Sequence, residues 1–196
     1  VMFAINHTML PLFMADFGKM PIWFTIPLLG IINPGTIIML GPFLGKIVEK
    51  YESIKVMIVG MLIFCVGLMM LAYSFHPLLF VGGIIVFSIG EFVVHPNFIS
   101  YVSKIAPKDK VAIYMAVAIG NIIGGIYHGY LYQDFAVNQS FPKMYITMVA
   151  LVGLVTAAAF LIYNKWMFNK RVDEGEIRAE RGGFWVKPSA VAVVLL

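Results

Sequence analysis

Glu91 is the side chain best able to do chemistry in this sequence, and it stands where an acid is least expected. In "FSIGEFVVHPNF" its neighbours are Phe, Val, Ile and Gly, and no Lys or Arg lies within a dozen residues on either side. The other nine of the ten acids fall in connectors, at the ends of apolar runs or in the C-terminal tail. A carboxyl group so placed binds a cationic group, carries a proton, or is held neutral by hydrogen bonds. At bilayer depth an ionised group costs a few kcal/mol or more, which favours a functional reason for it. His95 follows at i+4, so the two can share a helix face. A carboxyl–imidazole pair can relay protons; a histidine satisfied by a carbonyl or hydroxyl is the commoner case.

Other polar groups interrupt apolar runs. Asn33, in "INPG", lies near the middle of one run, where its amide must hydrogen-bond or face a cavity. Asn6, His7, Asn121 and His128 pose the same choice, with polar links between helices the more frequent explanation and Asn6 also a candidate cavity residue. Pro34 and Pro96 each remove a helical hydrogen bond beside one of the polar groups and predict kinks. Glycines four apart, Gly41 and Gly45, Gly120 and Gly124, Gly125 and Gly129, predict close helix packing.

The elements that carry these groups follow from composition. The 196 residues are 61% hydrophobic and 12% charged, with a mean hydropathy of +0.91. A soluble domain is about half apolar and about a quarter charged, so the expected class is an integral membrane protein. About 20 apolar helical residues cross the hydrocarbon core. Six segments fit: 1–14, cut short, then 22–45, 54–75, 78–103, 111–132 and 144–168. Short polar connectors, including 133–143, make neighbours antiparallel. The expected fold is all-α, a polytopic six-helix bundle over residues 1–168, followed by a charged cytoplasmic tail, 169–196.

Charge orients the bundle. Lys46, Lys50 and Lys55, then Lys104, Lys108 and Lys110, then Lys165, Lys170 and Arg171 lie at alternate connections, while Lys19 and Lys143 lie at the others. By the positive-inside rule the first set is cytoplasmic, as is the C-terminus. The net charge of +4 is explained by these loops without nucleic acid. The lone Cys65 excludes a disulfide within the chain. The chain opens on Val1 without a signal peptide and reads as a fragment. No phosphate-binding glycine loop, zinc-ligand spacing or nucleophilic serine motif occurs, so no metal, cofactor or enzymatic activity is expected.

Six helices with a basic loop between the second and third resemble half of a major facilitator superfamily transporter, and "GKIVEKYESIK" is similar to its loop signature at Gly45, Glu49 and Lys50. "GEFVVHPNFISYVSKIAPK" resembles the tenth helix of the proton-dependent oligopeptide transporters at Gly90, Glu91, Pro96, Ser103, Lys104, Ala106, Pro107 and Lys108. "INPGTIIMLGPF" is similar to their eighth helix. The resemblance implies that the chain is helices seven to twelve and that an N-terminal six-helix half is its partner. It further implies that Glu91 pairs with the amino group of a di- or tripeptide and that Asn33 lines the same pocket. His95 and Gly30 depart from the pattern, which expects small Ser and Gln there, and no aromatic of the expected kind stands in "FAINHTMLPLF". The expected function is proton-coupled uptake of small peptides by alternating access. The alternatives are a facilitator for another small solute and a half-size membrane scaffold that transports nothing.

Overall fold

The computed structural model describes residues 26–73, 76–106, 109–119, 122–138 and 142–173. In chain order the helices are α1 (Ile26–Val48), α2 (Ser53–Tyr73), α3 (Pro77–Ile105), α4 (Val111–Ile119), α5 (Ile122–Leu131), a π-helical segment (Tyr132–Asn138) and α6 (Pro142–Asp173). No strand occurs among the described residues. Among the described residues, four stretches are long and apolar enough to cross a bilayer: Gly30–Val48, Ser53–Tyr73, Leu78–Ser103 and Lys143–Trp166. The chain is an all-α polytopic membrane protein.

Helix ends obey local chemistry. α3 begins with a proline at its first turn, where the missing N–H costs nothing, and the His76 ring Nδ1 caps it by accepting from the Leu78 N–H at 3.3 Å. It stops at Ala106, which is extended at φ −69° and ψ 133° as a residue before proline prefers to be. Between α1 and α2, the Glu49 N–H returns to the Gly45 carbonyl at 3.0 Å and closes the last turn. α2 then opens beside a Glu52–Lys55 ion pair.

α2 is the centre of the described bundle. It packs along α3 on one side and α6 on another, while α1 touches mainly α3. In α2 61% of the span is buried and in α1 17%, so α1 leaves most of its surface open to lipid or to further protein. Phe64 and Phe87 meet at 4.7 Å between ring centroids, and Leu68, Leu71 and Ile84 belong to the same buried cluster, while Met57 packs in a smaller one with Ile54 and Ile58. Two pairs of glycines let the helices close. Gly60 and Gly67 on α2 face α3, and Gly83 and Gly90 on α3 face α2. A Cβ at Gly90 would lie 2.5 Å from the Phe64 amide nitrogen, and one at Gly60 would lie 2.7 Å from Val93 Cγ1.

These glycines recur every seven residues, two helical turns, rather than every four. Of the four-residue spacings, a Cβ at Gly41 would lie 3.2 Å from the Phe92 ring, but Gly45, Gly125 and Gly129 have open space beside them among the described residues. Their spacing alone does not bring a second helix close. Gly120 and Gly124 lie outside the residues whose surroundings are described.

A second departure concerns 133–143, expected as a polar connector. Its first half is helical and wound with the wider π turn. Tyr132 and Ala136 turn inward, and the Gln133 Nε2 donates to Asn138 Oδ1 at 3.3 Å, a spacing of five that matches a π turn. The fifth expected span is described as two pieces, α4 and α5, each too short to cross a membrane by itself. The first expected span and nearly all of the proposed tail lie outside the described residues.

Candidate functional site

Two of the polar groups singled out by sequence are in contact. Asn33 on α1 donates its side-chain amide to Glu91 Oε2 on α3 at 2.9 Å and to Ser88 Oγ at 2.9 Å. Ser88 Oγ in turn donates to the Ile84 carbonyl at 2.7 Å. All three side chains are buried, with relative exposures of 5% for Asn33, 0% for Ser88 and 7% for Glu91. Ser88 and Glu91 are three residues apart, so they lie on one face of α3 and that face is turned towards α1. Glu91 stands at the centre of the Leu78–Ser103 span. Here amide and carboxyl groups must find hydrogen-bond partners within the protein, and these two find each other.

Ser88 escaped the sequence reading. Serine in an apolar helix usually bonds its own preceding turn, as it does here, so its type gave no signal. Its position one turn before Glu91 was the available clue.

His95 is exposed, one turn beyond the buried Glu91. The two share a helix but not an environment. Pro34 and Pro96 are exposed, each within a helix that continues past it. Just after Pro96, Asn97 returns its side-chain amide to the Val93 carbonyl at 2.8 Å. Asn6 lies outside the described residues.

A separate aromatic cluster surrounds His128, which is fully buried. Its ring stands edge-on to Tyr145 at 6.4 Å and to Tyr127 at 6.2 Å, and Tyr132 meets Tyr145 at 5.4 Å. At the opposite end, Tyr101 and Tyr163 meet hydroxyl to hydroxyl at 3.3 Å, with Trp166 beside Tyr163. The C-terminal ends of α3 and α6 thus lie at the same end of the bundle, which fits an interfacial aromatic belt. No group of three or more His, Cys, Asp or Glu side chains is placed to hold a metal among the described residues.

The Major Facilitator Superfamily matches residues 1–195. A Bacillus subtilis (strain 168) protein named "Uncharacterized MFS-type transporter YttB" is 29% identical over 134 residues, which cover 67% of this chain and 34% of the relative. This chain therefore spans about a third of the length of the relative it matches. No solved structure matches. Apolar helices of membrane-crossing length and a match that runs from residue 1 to residue 195 lead to one assignment: the chain belongs to the major facilitator superfamily.

Proposed function

We propose that this chain is the C-terminal six-helix half of a secondary active transporter and that Glu91 and Asn33 contribute to its solute site. The observation that carries this reading is the 2.9 Å hydrogen bond joining Asn33 to Glu91 across two helices within the apolar core of the chain. An acid in that position is costly to retain, and among its partners is a neutral amide that a better donor can displace. A solute bearing an ammonium group would take the place of the Asn33 amide at the carboxylate. A proton on the carboxyl would turn an acceptor into a donor and release that solute. Rocking of this half against an N-terminal half would expose the site to each side in turn.

The resemblance of 90–108 to peptide-transporter helices supports a finer assignment, proton-coupled uptake of di- and tripeptides with Glu91 receiving the free amino end. The lysine-bearing connections and the C-terminus face the cytoplasm in this scheme. His95 and Gly30, which depart from that family's pattern, favour another small solute as the second reading.

Competition separates the two. In cells expressing the full-length protein, uptake of a labelled dipeptide is measured against excess free-amino dipeptide and its N-acetylated counterpart. Strong competition by the free amine alone supports the peptide reading. Equal competition by both removes the proposed role of Glu91, and competition by neither leaves the site to another solute.

A further inference from the structure

We propose that the outward groove between α2 and α6 holds an acyl chain of an anionic phospholipid, with Lys143 receiving the phosphate. The groove encloses about 520 Å³. Its floor is formed by Cys65 and Ala150, both buried, where the thiol donates to the Ala150 carbonyl at 3.4 Å. Gly153 keeps this floor low, since a Cβ there would stand 2.6 Å from Cys65 Sγ. Val66, Met69, Leu151 and Leu154 form the walls and are exposed. The one lining hydroxyl, of Thr147, is turned back to the Lys143 carbonyl at 2.8 Å. Nothing in such a trench suits a polar solute, and in a bilayer its natural occupant is hydrocarbon.

The cation at one end selects the lipid. Lys143 precedes Thr147 by one helical turn, and its Nζ lies 5.7 Å from the centroid of the Tyr73 ring. Tyrosine and lysine together are typical of the headgroup level, so a positive charge stands at the mouth of an apolar trench that runs inward. That pairing matches a phosphate joined to an acyl chain. A second copy seated symmetrically on the same groove would bring its own Lys143 to this end, setting like charge against like.

Photocrosslinking tests this. Full-length protein in vesicles is exposed to phosphatidylglycerol or phosphatidylcholine carrying a photoreactive group in the acyl chain, and adducts are mapped by mass spectrometry. Adducts are expected at the groove residues, with phosphatidylglycerol favoured about five-fold, the effect of roughly one lysine at the surface. Lys143→Gln should abolish that preference and Lys143→Arg should keep it. Val66→Phe, at a rim residue 56% exposed, should reduce labelling by both probes without disturbing the core. Equal labelling by the two headgroups, an unchanged preference in Lys143→Gln, or cross-links between protein copies in place of lipid adducts would overturn the proposal.

Discussion

The Asn33 amide reaches from one helix to hold both Ser88 and Glu91 on its neighbour. Polar links of this kind within membranes contribute about 0.6–2 kcal/mol, less than a fully orphaned group would cost in hydrocarbon, because the unfolded helices also find partners. Asn33→Ala should therefore lower unfolding stability in detergent by about 1–2 kcal/mol. His95→Ala, at an exposed position, should stay within about 0.5 kcal/mol of the parent. Equal losses in the two variants would mean that the buried link is not what holds α1. That Glu91 and Asn33 each need a polar partner was legible in the sequence, because a polar group amid apolar residues must be compensated. Their shared pocket was implied only by the resemblance, and their direct hydrogen bond by no spacing rule, since they lie 58 positions apart. Whether His95 shares the environment of Glu91 was beyond a rule that gives only a shared face.

Elements pack where side chains are missing. The α2–α3 seam closes because four glycines, at 60, 67, 83 and 90, let backbone meet side chain and backbone. An added methyl at Gly90 would press on the Phe64 backbone, which cannot yield as a side chain can. Gly90→Ala should cost about 1–3 kcal/mol. Gly82→Ala, whose methyl would meet only the end of Met70 at 3.7 Å, should be neutral or stabilising by up to about 1 kcal/mol. Reversible unfolding in mixed micelles, read by circular dichroism, compares them; matching losses would show that the seam is not tightly closed. Apolar length placed α1, α2, α3 and α6 within a few residues of their observed ends, since the cost of unpaired backbone in lipid leaves little freedom. Of the four-residue glycine spacings, Gly41 meets a neighbouring helix and Gly45, Gly125 and Gly129 have none beside them among the described residues, because spacing alone does not choose a packing partner. The π-helical segment was missed because Gln133, Asp134 and Asn138 resemble a loop by type, while burial of Tyr132 and Ala136 decides the outcome.

For the whole molecule, the strongest signals were bulk ones: few charges, long apolar runs and lysines at alternate connections. The first two yielded the membrane class and the helical fold directly. The third makes a prediction of its own. In a cysteine-free full-length background, Lys50→Cys and Lys110→Cys should react with an impermeant thiol reagent only from the cytoplasmic side, and Asn138→Cys only from the opposite side. Labelling of all three from one side would break the alternation. In the proposed reading an N-terminal half completes the transporter, so the most direct test uses the full-length protein in liposomes under an inward proton gradient. Labelled dipeptide should accumulate, a protonophore should collapse that accumulation, and Glu91→Gln, folded and inserted to the same level, should reduce it at least about ten-fold, as expected when a charge-assisted contact worth about 1.5–3 kcal/mol is removed. Undiminished accumulation with Glu91→Gln, or no accumulation by the parent protein, would contradict the account.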